Sequence, residues 1–225
     1  MKNITLILIS FLFLTGFTGE KVVSNLQDRG GVKYEVNSEI PFTGKLVGEY
    51  ANGQKEVEGS YKNGKKEGLE TYWHENGQKQ AEGNFKDGKK DGFWTVWYDN
   101  GRKKMEGSYK NDKKDGLETI GYESGQKQHE RNYKDGKRDG LMTGWYLSGQ
   151  KKREENFKDG KQEGLEIWWH KNGQKMSEKN FKDGKKEGLE TYWHENGEAW
   201  YERNYKDGKR VELNELPERT EEPSG

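Results

Sequence analysis

Cysteine is absent from the 225-residue chain, which excludes a disulfide framework, a thiol nucleophile and lipid attachment at a cysteine. Apolar residues are scarce at 28%, where an ordinary domain approaches half, so one thick core is excluded as well. Charge of one sign is missing too: 40 basic and 40 acidic residues cancel, leaving no positive field to neutralise phosphates, and nucleic acid is not expected as a partner. Long apolar runs are confined to Ile4 to Phe17, which is shorter than the roughly 20 residues of a membrane-spanning helix. With Lys2 before that run and small residues around Thr18 and Gly19 after it, residues 1–19 have the layout of a secretory signal peptide. Export to the periplasm, cell envelope or exterior is the expectation.

Scarce apolar residues alone would mean disorder, yet 8 Trp, 12 Tyr and 8 Phe recur at fixed spacing, which disordered chains lack. Glycine falls at positions 44, 68, 92, 116, 140, 164 and 188, a period of 24 without a slip. Two further series, such as Asn76-Gly77 and Asp87-Gly88, place turn dipeptides in every repeat, broken once by Asn111-Asp112. The stretches between them are of strand length and rich in β-branched and aromatic residues. The expected fold is therefore all-β, an elongated single-layer antiparallel β-meander of seven tandem 24-residue hairpin repeats over residues 44–211. Residues 20–43 are read as an N-terminal segment with a capping strand between Val32 and Phe42, and the acidic residues 212–225 as a disordered tail.

Alternation predicts Leu69, Thr71 and Trp73 on one face and Glu70, Tyr72 and His74 on the other. Joined by Phe85, the first set would form an apolar ladder of Trp73, Trp97, Trp145, Trp169 and Trp193 with Phe85, Tyr109, Tyr133, Phe157, Phe181 and Tyr205. Trp94 and Trp168 are out of phase with it. Together with Tyr72, Tyr98, Tyr122, Tyr146 and Tyr192 they are expected exposed on the opposite face, as a partner-binding surface. Lys86, Lys89 and Lys90 recur along one turn edge and would meet anionic lipid or an acidic partner.

Catalytic chemistry finds no support in the residues. His74, His170 and His194 share one repeat position, but equivalent positions lie two strands apart, roughly 10 Å, too far to share a metal. Glutamates recurring from Glu58 to Glu202 read as partners of lysines such as Lys79 and Lys103, and glycine strings such as Gly64 to Gly68 lack the Gly-Lys-Ser/Thr of a phosphate loop. No enzyme, cofactor or metal is expected. Lys65 to Asn76 reappears unchanged as Lys185 to Asn196, the mark of internal duplication and of a protein that works by extended surface.

The string Gly68-Leu-Glu-Thr-Tyr-Trp-His-Glu-Asn-Gly-Gln-Lys79, followed by Glu82-Gly-Asn-Phe-Lys-Asp-Gly-Lys89, resembles the bacterial variant of the MORN repeat over Pro41 to Lys209. The pattern departs at Gly121, which replaces the strand Trp, and where Glu-Gly becomes Glu130-Arg131, Glu154-Glu155, Glu178-Lys179 and Glu202-Arg203. Such proteins include YwqK-like antitoxins, and eukaryotic MORN repeats are associated with membranes and scaffolding. The resemblance implies three kinds of partner: a protein at the cell envelope, a cognate toxin, or an anionic membrane surface. An exported scaffold binding a protein through an extended aromatic and polar sheet face is the leading expectation.

Overall fold

The computed structural model describes residues 21–212, so the signal segment and nearly all of the acidic tail lie outside the described residues. Three short strands come first, β1 (Val22–Val23), β2 (Gln27–Arg29) and β3 (Val32–Tyr34). The repeats follow as β4 (Gly44–Glu49), β5 (Lys55–Lys62), β6 (Lys65–Trp73), β7 (Lys79–Lys86), β8 (Lys89–Trp97), β9 (Lys103–Lys110), β10 (Lys113–Gly121) and β11 (Lys127–Lys134). They continue through β12 (Lys137–Trp145), β13 (Lys151–Lys158), β14 (Lys161–Trp169), β15 (Lys175–Lys182), β16 (Lys185–Lys186), β17 (Gly188–Trp193), β18 (Ala199–Lys206) and β19 (Lys209–Val211). From β4 to β19 each strand pairs antiparallel with the next, as the 24-residue period predicts, except that β16 and β17 both pair with β15 as two pieces of one strand. Among the described residues, strands that touch extensively are hydrogen-bonded neighbours, so the sheet is one layer with nothing packed upon it.

Two kinds of turn build each repeat. At one edge Asp87 and Gly88 both have positive φ, 51° and 82°, and Lys86 pairs with Lys89, the two-residue hairpin that Asp-Gly favours. At the other, Gly77 alone takes positive φ, donating its N–H to the His74 carbonyl while His74 N–H donates to Gln78. That longer loop leaves Trp73 opposite Lys79 and Tyr72 opposite Ala81, so Gln80 is an extra residue in a bulge. Gly68 sits in a second irregularity, between the pairs Tyr61–Lys66 and Gly59–Glu70. Its φ is +80° and a Cβ there would meet nothing, so backbone conformation alone demands glycine.

Turns of successive repeats are tied together at both edges. At the Asp-Gly edge, Gly88 N–H donates to the Lys66 carbonyl and Asp87 N–H to the Glu67 carboxylate, and the same bonds recur in later repeats. At the other, Asn52, Asn76, Asn100 and Asn172 donate side-chain amides to carbonyls 23 residues on. Stability thus comes from contacts between nearest repeats.

The N-terminal cap differs from the expected strand between Val32 and Phe42. It is β1 that joins the sheet, parallel to β4, while β2 and β3 form their own hairpin. The hairpin is held by Lys33 N–H donating to the Gly64 carbonyl, and Phe42 is 2% exposed with its ring 6.1 Å from that of Tyr61. Phe42 does the apolar capping, whereas Val36 stays exposed.

Register also splits the expected aromatic ladder. Glu70 stands opposite Gly83 and Gly68 opposite Phe85, while Leu69 faces Asn84 and Thr71 faces Glu82. Residues directly opposite one another share a face, so the Phe/Tyr series lies with Glu70 and Tyr72, and the Trp73 series lies on the reverse with Leu69. Alternation within each strand held. The relation between strands is set by the bulged loop, and a shift of one residue there turns every side chain over.

Gly83 shows how a single layer packs against itself. A Cβ there would lie 1.8 Å from the Trp94 ring, which lies across the glycine from the next strand. Gly83→Ala is expected to cost about 1–3 kcal/mol in urea denaturation. In the double variant with Trp94→Ala the costs should fall well short of additive.

Candidate functional site

The face of Glu70 carries a central line of side chains, one per repeat: Glu70, Trp94, Glu118, Met142, Glu166 and Glu190, all buried. Beside it runs a second line, Gly59, Gly83, Gly107, Arg131, Glu155, Lys179 and Arg203. In early repeats glycine makes room for the neighbouring side chain to lie flat. In later ones charge replaces space, with Arg131 against Glu118 at 3.5 Å and Lys179 against Glu166 at 3.0 Å. The change from Glu-Gly to Glu-Arg or Glu-Lys is therefore a second way of covering the same line.

Lysines complete this face. Lys66 Nζ lies 2.7 Å from Glu70 and 4.8 Å from the centre of the Phe85 ring, and Lys114 with Glu118 and Tyr133, and Lys186 with Glu190 and Tyr205, repeat the arrangement. Burial would raise the Glu190 carboxyl, but bonds from Lys186, Tyr205 and Tyr192 outweigh it and hold the pKa below the usual value. Glu155 goes the other way: burial raises it despite Arg153, and Glu166 adds to the effect.

The residues expected to form an exposed binding surface are part of this packing. Trp94 is on the predicted face but only 6% exposed, edge-on to Phe85 at 5.4 Å and under Lys90 at 4.0 Å. Trp168 is half-buried beneath the Arg153 guanidinium. Tyr72 donates its hydroxyl to Glu70 and accepts from Lys66, and Tyr192 donates to Glu190. Tyr98, Tyr122 and Tyr146 donate to the carbonyls of Gly121, Trp145 and Trp169, each one repeat further on. His74 and His170 reach the equivalent Trp97 and Trp193 carbonyls, so these histidines are also half-buried and not simply solvent-facing. On this face of the single layer the long side chains lie along the sheet and cover one another, which is why these aromatics are not exposed.

Along the Asp-Gly edge Lys86 and Lys89 are exposed, as expected, whereas Lys90 is half-buried between the Trp94 and Tyr109 rings. Burial lowers its ammonium pKa. The edge lysines are thus two per turn.

The reverse face holds what sequence reasoning missed. Its tryptophans lie beneath lysines of the preceding repeat, Lys55 over Trp73 and Lys79 over Trp97, and those lysines pair along their own strand with Glu58 and Glu82. The bulge brings residues three apart onto one face, so the expected glutamate–lysine pairs form along one strand, and Glu58 also pairs across strands with Lys45. Beside them stand Leu69, Phe93, Leu117, Leu141, Leu165 and Leu189, each between 44 and 53% exposed. The signal was present as an apolar residue after every repeat glycine from Gly68 to Gly188. It was read as core because apolar character was equated with burial.

A family model described as the MORN repeat variant matches residues 42–63, 66–87, 90–111, 138–159, 162–183 and 186–207, more than half of the chain. The intervening repeat is the one with Gly121 in place of Trp, yet β10 and β11 form with the common register. No curated protein matches the chain.

Trp94→Ala is expected to cost about 3–5 kcal/mol, whereas Leu117→Ala should stay within about 0.5 kcal/mol, both read from urea midpoints. His129 gives a pH signature. Burial, then Arg131, Arg153, Lys152 and Arg138, push its pKa down to about 4 from 6.5. Between those values the unfolded chain binds a proton that the folded chain refuses, so stability falls as pH drops through that window. His129→Gln should lack this component, so the difference between the two pH profiles isolates it.

Proposed function

The chain belongs to the MORN repeat variant family, and from that premise we propose that it is an exported, non-enzymatic scaffold that binds a protein partner through the leucine-bearing face. The observation that carries this reading is the exposed series Leu69, Phe93, Leu117, Leu141, Leu165 and Leu189. At two strands per step, with Asn84, Ser108, Asn132, Asn156 and Asn180 on the strands between, it forms a row roughly 50 Å long in which apolar and polar side chains alternate. Single exposed apolar residues need no explanation, but their recurrence at one position in six successive repeats does. Asn84 and Asn156, exposed on the same face directly opposite Leu69 and Leu141, supply hydrogen-bonding groups within the row. Export rests on Lys2 and the apolar run Ile4 to Phe17.

Two other readings follow from named features. An antitoxin or immunity role, drawn from the YwqK-like resemblance, requires an exported toxin, because cytoplasmic toxins are neutralised in the cytoplasm. Co-expression with a toxin encoded nearby would then rescue growth. Anionic lipid would be met by the Lys86 and Lys89 edge, and its mark is pelleting with acidic vesicles that salt abolishes.

The stripe is tested with Leu117→Lys and Leu141→Lys together. Melting temperature should stay nearly unchanged, while affinity for a partner identified by cross-linking from position 117 should drop at least tenfold. Full affinity in the double variant would move the interface off this face.

A further inference from the structure

The two ends of the sheet are finished differently. At the first, β1 covers β4 and Phe42 closes the ring stack. At the last, β19 pairs with β18 only at Asn204, Tyr205 and Lys206. Among the described residues, nothing pairs with the outer edge of Tyr201, Glu202 and Arg203. The equivalent residues of each earlier repeat receive the next strand there: Ala81, Glu82 and Gly83 take Val96, Thr95 and Trp94, and Ser177 and Glu178 take Tyr192 and Thr191.

Three side chains mark this edge as incomplete. Asn204 is 1% exposed, yet its amide nitrogen and oxygen both lack a hydrogen-bond partner. In an internal repeat the equivalent Asn132 donates to the carbonyl of Leu141 on the following strand, at 2.8 Å. Glu202 has Ala199 three residues before it, where Glu82 has the lysine with which it pairs. Trp200 is 57% exposed and stacks on His194 beside an open cleft of about 430 Å³.

We propose that the outer edge of Tyr201, Glu202 and Arg203, with Asn204 and Trp200, accepts an extended segment of a partner protein by strand addition. Strand β17, which takes this place on the preceding repeat, together with the charge of Arg203, gives the segment's chemistry. Read from its N-terminus it carries an apolar residue whose carbonyl accepts from Asn204, an acidic residue opposite Arg203, threonine or serine opposite Glu202, and an aromatic opposite Tyr201. Main-chain bonds supply affinity and the alternating side chains supply selectivity. The chain's own continuation meets this pattern at the apolar position, Leu213, and departs from it elsewhere. Counting 24 residues on from β17, Glu212 stands at a glycine position, Glu215 would face Glu202, and Pro217 replaces a strand tryptophan. The edge adjoins only the last member of the leucine series, Leu189 opposite Asn204, and the substitutions at Leu117 and Leu141 lie far from it, so either surface can fail without the other.

The test titrates the full chain into a fluorescein-labelled peptide with the sequence of residues 189–195, Leu-Glu-Thr-Tyr-Trp-His-Glu, and reads anisotropy. Saturable one-to-one binding is expected. It should weaken at least tenfold when the peptide's first glutamate becomes lysine, and be lost when the threonine nitrogen is methylated. Arg203→Gln, checked for folding by circular dichroism, should reduce the discrimination between glutamate and lysine peptides. Equal binding of a scrambled peptide, or none at all, would overturn the proposal. Binding seen only after removal of residues 213–225 would give the edge to the chain's own tail, and dimers dissolved by the peptide would give it to a second copy; both overturn it.

Discussion

A sheet with no second layer must find its burial within its own thickness, and here it does so through lysine ammonium groups shared between a carboxylate and an aromatic ring. Lys66 holds Glu70 while lying on Phe85, and Lys186 holds Glu190 while lying on Tyr205. The arrangement lets charged side chains act as the apolar cover, because the methylene stem packs while the head group is paired. It reconciles a composition of 36% charged residues with an ordered fold. It also explains why a carboxylate as buried as Glu70 can stand in the middle of the sheet. A paired charge in low dielectric is tolerable where an unpaired one is not.

The same arrangement accounts for the variation among repeats. The central line alternates space and substance: glycine beside a bulky neighbour in the early repeats, and charge in the later ones, opposite in sign at Arg131 and Lys179 but a second carboxylate at Glu155. Trp94 over Gly83 and Arg131 beside Glu118 are two fillings of one site. Neither requires a change of backbone, so the registers persist through the repeat with Gly121.

Strand positions, turn dipeptides and repeat boundaries were legible in the sequence because each is a local property. Asp87-Gly88 specifies its turn and Leu69 to Trp73 alternates as any strand does. The relation between strands was not legible, because it depends on one bulged residue, Gln80, whose presence no hydrophobic pattern marks. From that single offset came the wrong partner for Phe85 and the misplaced aromatic ladder. Burial was misread for another reason: in a solid core apolar means buried, but in one layer a long polar side chain such as Tyr122 can be better covered than Leu117. The candidate surface therefore moved from the tyrosines to the leucines. Of the edge lysines, Lys90 was misjudged because its neighbours Trp94 and Tyr109 come from other strands.

Because each hairpin bonds only to its neighbours, and β1 and β19 lie at opposite ends of the ladder, the molecule has a definite mechanical character. A pull applied between its ends runs across the strands and meets hydrogen bonds a few at a time. Hairpins would peel away singly, each releasing up to about 80 Å of chain from its 24 residues, while the remainder stayed folded. The array is built to yield in steps at low force and to re-form one hairpin at a time on the part that is left.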